Sequence, residues 1–220
     1  MKAAMILAAG RGERLRPLTD TLPKALCQVH KKPLIEYHME KLAHCGFERI
    51  VINHAHLGGQ IRRHLGNGRK WNIELCYAPE PPGGLETGGG IYNALPLLGD
   101  TPFLTVNADI FTDYDFNSLT LPDHAMAKLI LVPNPKHNSQ GDFGLNNQYL
   151  TNHERIYTFP GIACYHPHAF RECKAGRYSV IPLIRHLTEK NLVMGELYQG
   201  LWMDIGSPER LAIANTLSID

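Results

Sequence analysis

The chain of 220 residues has no apolar run approaching the roughly 18 residues that a membrane-spanning helix needs. A helical membrane protein is therefore excluded. The apolar stretch at residues 3–9 is cut off at once by Gly10-Arg11-Gly12-Glu13-Arg14, which makes it too short for a signal peptide. Cysteine is scarce: the five are odd in number, scattered, and never spaced C-x-x-C. That excludes a disulfide frame and a cysteine zinc site, and it fits a reducing, cytoplasmic setting. Charge of one sign is also missing. Lys+Arg is 22 against Asp+Glu 21, a formal net charge of +1, so the broad basic surface of a general nucleic-acid binder is absent. With 44% hydrophobic and 20% charged residues, whole-chain disorder is excluded. No repeat, low-complexity tract or linker divides the sequence, and the length suits one domain over residues 1–220.

What is present follows an alternating order. Residues 2–8 form a short apolar run ending at glycine, the pattern of a buried strand feeding a loop. Residues 10–32 read as a loop rich in glycine, proline and charge. Pro33 opens a helix whose apolar positions recur at helical spacing up to Gly46. Strands are predicted at 49–53, 73–78 and 103–106, and helices at 57–65 and 85–98. Strand–helix alternation implies a parallel sheet with right-handed crossovers. The second half is less regular. Strands are predicted at 127–132 and around Gly161, with a hairpin over 142–150 turning at Asn146-Asn147. Helices are predicted at 180–190 and after Ser207-Pro208, Ser as cap and Pro at the first helical position. Such a chain would join a nucleotide-binding half, about 1–110, to a strand-rich substrate-binding half, about 111–220.

The strongest segment runs Leu7-Ala8-Ala9-Gly10-Arg11-Gly12-Glu13-Arg14-Leu15-Arg16-Pro17-Leu18-Thr19, followed by Pro23-Lys24-Ala25-Leu26. Glycines at a strand end let backbone N–H groups approach phosphate oxygens, and Arg and Lys supply charge-assisted bonds to a polyphosphate. A dinucleotide fingerprint fails because its third glycine is Leu15 and the second strand ends in Asn53-His54 without an acid. A P-loop string is absent. Asp109, in Asn107-Ala108-Asp109, follows an apolar strand, and Asp204 lies in the apolar string Trp202-Met203-Asp204-Ile205. His54/His56 and His166/His168 have metal-like spacing but no third ligand, and read as strand-end or loop histidines.

The string L-A-A-G-x-G-x-R-L-x-P-L-T with P-K-x-L resembles the signature of sugar-phosphate nucleotidyltransferases, and the resemblance covers nearly the whole chain. Within that family it looks most like the short bacterial N-acetylmuramate-1-phosphate uridylyltransferases. The shared strings are Ile52-Asn53-His54-Ala55, Leu85-Glu86-Thr87-Gly88-Gly89-Gly90-Ile91, Thr112-Asp113-Tyr114-Asp115-Phe116 and Gly141-Asp142-Phe143. The resemblance implies a Rossmann-like three-layer α/β/α fold with a mostly parallel mixed sheet and no β-helix tail. It implies transfer of a nucleotidyl group from a nucleoside triphosphate, UTP foremost, to a sugar 1-phosphate, with Mg²⁺ held by Asp109 and Asp204.

By the same resemblance, Arg14, Lys24 and Asp109 are catalytic. Leu7, Ala8, Gly10, Gly12, Glu13, Arg14, Lys24, Glu80, Gly88 and Asn107 contact the nucleotide, and Asp142, Gly161 and Asp204 contact the sugar phosphate. Three departures stand out. Ala108 replaces the usual glycine before Asp109. Glu80-Pro81 replaces Gln-Pro; an ionised Glu only accepts hydrogen bonds, which suits the N3–H of uracil but also the N1–H and N2–H₂ of guanine. Glu154-Arg155 stands near the place where longer relatives carry a Glu-Lys pair with the Lys on phosphate. Three rivals therefore stay open: a mannose-1-phosphate guanylyltransferase, a non-catalytic nucleotide-sugar-binding regulator, and, disfavoured by the failed fingerprint, an NAD-dependent dehydrogenase. The expected partners are small molecules, with neither nucleic acid nor membrane, and the chain is expected to be a monomer or small homo-oligomer.

Overall fold

A computed structural model describes residues 2–217. The first half supplies β1 (Ala3–Leu7), a two-residue-stranded hairpin of β2 (Gln28–Val29) and β3 (Lys32–Pro33), β4 (Arg49–His54), β5 (Glu74–Pro79), β6 (Phe103–Asn107) and β7 (Ile110–Thr112). Its helices are α1 (Leu18–Thr21), α2 (Leu34–His44), α3 (Gly58–Leu65) and α4 (Glu86–Leu98). The second half adds β8 (Ala127–Pro133), β9 (Gly144–Asn146), β10 (Tyr149–Thr151), β11 (Tyr157–Thr158), β12 (Ile162–Tyr165), β13 (Val193–Leu197) and β14 (Trp202–Asp204), with α5 (Ile181–Glu189) and α6 (Pro208–Ala214).

One sheet runs β5-β4-β1-β6-β12-β8-β13-β10-β9, with β11 paired to β8. The longest ladders, β4–β5, β1–β4, β1–β6 and β8–β13, are parallel. The shorter ladders made by β12, β10 and β11 are antiparallel. The chain builds outward from β1 through β4 to β5, then returns to place β6 on the other side of β1. That reversal opens a crevice beyond the carboxyl ends of the strands, the place where open α/β sheets take ligands.

Alternation along β1 explains the layers. Ala4 and Ile6 pack with Ile35, Met39 and Ile61 from α2 and α3, whereas Ala3 and Met5 pack with Ile91, Ala94 and Ile184 from α4 and α5. A strand buried on both faces reads as a continuous apolar run, as this one does. A third, smaller cluster joins Leu15, Cys27, Leu34, Phe111, Ile205 and Ala214. It fixes the arginine-bearing loop against the β7–β14 pair and α6.

Three expectations change. Residues 10–32 are not plain loop: they fold into two 3₁₀ turns (Glu13–Leu15, Lys24–Leu26), α1 and the β2–β3 hairpin. The second hairpin turns at Asn147-Gln148, both with positive φ (47° and 72°), one residue later than the sequence pattern suggests. The stretch around Gly161 is two strands, β11 and β12, interrupted at residues 159–161. The Ser207 cap forms as expected, its side chain accepting from Arg210 N.

Candidate active site

A cleft of about 840 Å³ lies across the carboxyl ends of the parallel strands. Four of these strands deliver wall residues: Leu7 and Ala8 from the end of β1, Asn53 from β4, Glu80 just past β5, and Asn107 from β6. The glycine loop contributes Gly10, Gly12 and Glu13, and the turn after it contributes Lys24. Asp109 closes the far side, and Lys24 Nζ forms an ion pair with its carboxylate. Only 14% of the lysine side chain and 27% of the aspartate are exposed, so the pair is weakly screened. Gly12 takes φ 72°, a backbone turn open to glycine at little cost, and Thr19 Oγ1 donates to its carbonyl at 2.7 Å.

Asp204 reaches the same region through the β7–β14 ladder. Asp204 is paired with Ile110, the residue after Asp109, and Ile205 N donates to Asp109 O at 2.7 Å. Two acids almost a hundred residues apart in sequence therefore sit on neighbouring backbones. Asp204 pairs with Arg210 and lies 3.1 Å from His137 Nε2. Among the described residues no group of three His, Cys, Asp or Glu side chains gathers. Two carboxylates remain a suitable donor set for a hard cation that takes its other ligands from phosphate and water.

Other expected residues lie elsewhere. Arg14 is exposed outside the cleft, its Nη2 beside Gly206 next to Asp204. Gly161 (φ 88°) lines a second cavity of about 170 Å³ that shares Leu7, Thr87 and Asn107 with the cleft. Asp142 lines neither cavity: its Oδ2 accepts from Phe159 N at 2.9 Å and Asn138 Nδ2 at 3.2 Å, tying down the segment that leads to Gly161. The exposed Arg155 side chain lies outside both cavities, and its carbonyl accepts from Asn134.

Two expected nucleotide contacts have internal partners. Gly88 lies outside both cavities. Its N–H donates to Tyr178 O at 2.9 Å, and an added Cβ would meet the Tyr178 ring at 2.6 Å, so this glycine serves close packing of α4 on residues 176–179. Glu80 faces the cleft, but both carboxylate oxygens are engaged internally, one by Asn53 Nδ2 and one by Leu85 N, each at 2.6 Å. It tethers the loop before α4, and since each carboxylate oxygen carries two lone pairs it keeps acceptor capacity toward the cleft.

Asn53 is the residue sequence reasoning missed. It is 2% exposed, and its Oδ1 accepts from Ala8 N at 2.8 Å while its Nδ2 holds Glu80. The amide thus fastens the glycine loop to the loop after β5. A polar residue closing an apolar strand was the available signal. Arg177, on the cleft wall 3.3 Å from Glu86, carried no local signal at all. The histidine pairs sit at a strand end and in turns: His54 closes β4, His56 reaches Thr19 O at 3.0 Å, and His166 Nδ1 accepts from His168 N.

The nucleotidyl transferase family profile matches residues 3–160. The chain is 48% identical to the N-acetylmuramate alpha-1-phosphate uridylyltransferase of Neisseria meningitidis serogroup B, over 98% of this chain and 97% of that protein. It is 29% identical to the protein of the same name from Caulobacter vibrioides, over 94% and 93%. Mannose-1-phosphate guanylyltransferases, such as the catalytic subunit beta of Danio rerio, are more distant. The fold matches the crystal structure of a Bacillus anthracis protein assigned as a glucose-1-phosphate thymidylyltransferase, in complex with sucrose. That match has a TM-score of 0.84 at 20% identity and covers 100% of this chain and 97% of that one.

Proposed function

The chain belongs to the nucleotidyl transferase family, and we propose that it transfers the uridylyl group of UTP to N-acetylmuramate 1-phosphate. In this reaction an oxygen of the sugar phosphate attacks the α-phosphorus in line. The bond from that phosphorus to the bridging oxygen breaks, and pyrophosphate leaves. The attacking phosphate is already anionic at neutral pH, so no strong base is required. The protein's tasks are to offset anion–anion repulsion and to hold the line of attack.

The observation that carries this reading is the cleft at the sheet's reversal point, where the glycine loop and the Lys24–Asp109 pair meet. On this reading the loop from Leu7 and Ala8 through Gly10, Gly12 and Glu13 cradles the triphosphate with backbone N–H groups. Lys24 contacts the α-phosphate and the incoming sugar phosphate, and Arg14 holds the departing pyrophosphate. Asn107 stands between the cleft and the smaller cavity, where Gly161 admits the sugar and Asp142 holds the wall. Members of the family generally use a divalent metal; Asp109 and Asp204 would hold Mg²⁺, which when bound neutralises charge on the transferring phosphate. Glu80, positioned by Asn53 and Leu85 N, keeps lone pairs toward the cleft and would read the base together with backbone groups of residues 82–84 on the cleft wall.

The guanylyl alternative loses support, because its supporting run includes Gly88 and Gly89, whose N–H groups are both bound to Tyr178 O. No helix among the described residues is long and apolar enough to cross a membrane. The proposal extends to one domain acting in the cytoplasm, as a monomer or small homo-oligomer, in peptidoglycan recycling. The test is pyrophosphate release from UTP, GTP, dTTP, CTP and ATP against the 1-phosphates of N-acetylmuramate, N-acetylglucosamine, glucose and mannose. UTP with N-acetylmuramate 1-phosphate should give the highest kcat/KM. No release from UTP with any of the four sugars would end the proposal.

A further inference from the structure

Three Lys or Arg side chains line the cleft: Arg11, Lys24 and Arg177. The protein itself occupies two of them. Lys24 pairs with Asp109, and Arg11 donates to Thr19 O at 2.7 Å and to Asp20 Oδ1 at 2.9 Å. Among the described residues Arg177 has one ion pair, Nε to Glu86 Oε1 at 3.3 Å, which leaves most of its five N–H donors unused. The backbone fixes where this guanidinium sits. Tyr178, the next residue, donates its N–H to Leu85 O at 3.1 Å, and its carbonyl accepts from Gly88 N and Gly89 N at 2.9 and 3.1 Å. Val180 N donates to Thr87 Oγ1 at 2.9 Å. Leu85 N in turn donates to Glu80 Oε2 at 2.6 Å. Leu85 therefore ties the segment that carries Arg177 with its carbonyl and the Glu80 carboxylate with its N–H. Two adjacent glycines show how near the charged groups come. A Cβ on Gly83 would stand 4.0 Å from Arg177 Nη1, and one on Gly84 would stand 3.5 Å from Glu80 Oε2. A donor and an acceptor thus border the cleft over neighbouring residues of one loop.

We infer that Arg177 is a specificity-determining residue: it donates to the O4 keto oxygen of the uracil ring while Glu80 accepts from the neighbouring N3–H. The inference rests on the transfer reaction proposed above and adds to it the side chain that separates keto from amino bases. Uracil presents a donor beside an acceptor along this edge, the complement of a carboxylate beside a guanidinium. Cytosine reverses both groups. Its N3 is an acceptor and its 4-amino group a donor, so it would set a lone pair against Glu80 and N–H groups against Arg177. Adenine carries the same reversed pair at N1 and N6. O4 also lies on the ring edge remote from the ribose, so it is the oxygen that a side chain at the mouth of the cleft meets; the Arg177 side chain is 63% exposed. An amino base pays twice at such a site, because each mismatch leaves a polar group of the protein unpaired under the ring. Guanine shares the keto pattern at N1 and O6, so the pair sorts bases by edge chemistry, and ring size is left to the cleft walls.

The experiment measures binding of UTP, CTP and 4-thio-UTP to the full chain by titration calorimetry, in Mg²⁺ and without sugar phosphate. The wild type should bind UTP more tightly than CTP. Arg177→Ala should narrow that preference by about tenfold, through weaker UTP binding, and Arg177→Lys should keep part of it. 4-Thio-UTP carries sulfur, a weak acceptor, in place of O4. It should bind the wild type less tightly than UTP does, and Arg177→Ala should hold the two alike. Arg177 is exposed, and the backbone bonds of residues 178 and 180 do not involve its side chain, so the variants should keep their fold. An unchanged UTP-over-CTP preference overturns the inference. So does an equal loss on both nucleotides, which would assign Arg177 to the phosphates or to the flat face of the base. Pyrophosphate release on adding each sugar 1-phosphate tests the transfer reading separately. If the preference behaves as expected but no sugar gives release, that reading falls while the base assignment stands; if release occurs and the preference ignores Arg177, the reverse holds.

Discussion

Replacing His38 by Leu should remove much of the chain's acid sensitivity between pH 7 and pH 5. His38 lies on the buried face of α2, 1% exposed, with its ring centroid 6.3 Å from that of Phe116. Neither ring nitrogen makes a hydrogen bond of good geometry among the described residues, although backbone groups of Ile110 and Asn107 lie close by. Burial, followed by the nearby Lys41 charge, pushes the imidazole down from 6.5 to about 4. The folded chain thus refuses a proton that the unfolded chain accepts near pH 6.5. Stability from keeping His38 neutral is complete above that pH and is lost as pH falls toward 4. Relative to neutral pH the loss amounts to about 2 kcal/mol at pH 5 and about 3 kcal/mol at pH 4. For a chain of this length, about 2 kcal/mol lowers Tm by about 4–8 °C. Burial also lowers the pKa of His54 and His166, but these are present in both proteins, so the difference between wild type and variant isolates His38. Urea unfolding at pH 7, 6 and 5 should show a shallower pH slope for His38→Leu by about 2 kcal/mol. Leucine also removes two unpartnered buried nitrogens, so the variant should not be less stable at pH 7 than the wild type. Equal slopes in the two proteins would refute the reasoning.

Three further outcomes follow from the same geometry. Lys24→Ala and Asp109→Asn should each lower kcat for UTP by about 10²–10³ with the fold intact by circular dichroism; a near-normal rate in either would remove that residue from the proposed chemistry. Burial alone would raise the Glu36 carboxyl, but Lys70 at 2.8 Å and His64 at 2.6 Å outweigh it and hold it below its usual range. Glu36→Gln should therefore cost about 1 kcal/mol at pH 7, a difference that fades as pH falls through the folded carboxyl's lowered pKa and that urea midpoints across that range would reveal. Gly88→Ala drives a methyl into the Tyr178 ring and should destabilise by about 1–3 kcal/mol; an unchanged Tm would show that α4 and residues 176–179 can part freely.

What the sequence made legible is local. The β1 run and the glycine–arginine string after it declare themselves within twenty residues, because an apolar run that stops at glycine has few other uses. The cap at Ser207-Pro208 is local in the same way. Glu80 is less legible for the opposite reason. Its residue type suggests a free acceptor at a cleft, and only the fold reveals the donors that occupy it, one of them Asn53, 27 residues away. Gly88 is ambiguous likewise, since a glycine beside a ligand and a glycine beside a tyrosine ring look alike in sequence. The turn at Asn147-Gln148 differs by one residue because either pair of polar residues could take the positive φ angles, and strand register decides between them.

Asp204 shows how the remote half of the site is placed. Nothing near it in sequence points to Asp109; resemblance joined the two, and the physical cause is the small apolar cluster outside the main cores. Ile205 and Phe111 are buried there at 0% and 3% exposure, together with Leu15 from the arginine-bearing loop. These side chains flank or nearly flank Asp204, Asp109 and Arg14. Burying them together forces the three charged neighbours onto one rim, although charges brought this close would not gather unaided. Apolar burial of this kind contributes about 1.5–3 kcal/mol per large side chain, enough to offset the crowding of like charges at Arg14 and Arg210. Shortening Ile205 to Ala should therefore loosen Asp204 before it unfolds the sheet, raising the Mg²⁺ concentration needed for half-maximal turnover while Tm falls by about 4–20 °C. A lower Tm with unchanged Mg²⁺ dependence would show that the β7–β14 ladder positions Asp204 without help from that cluster.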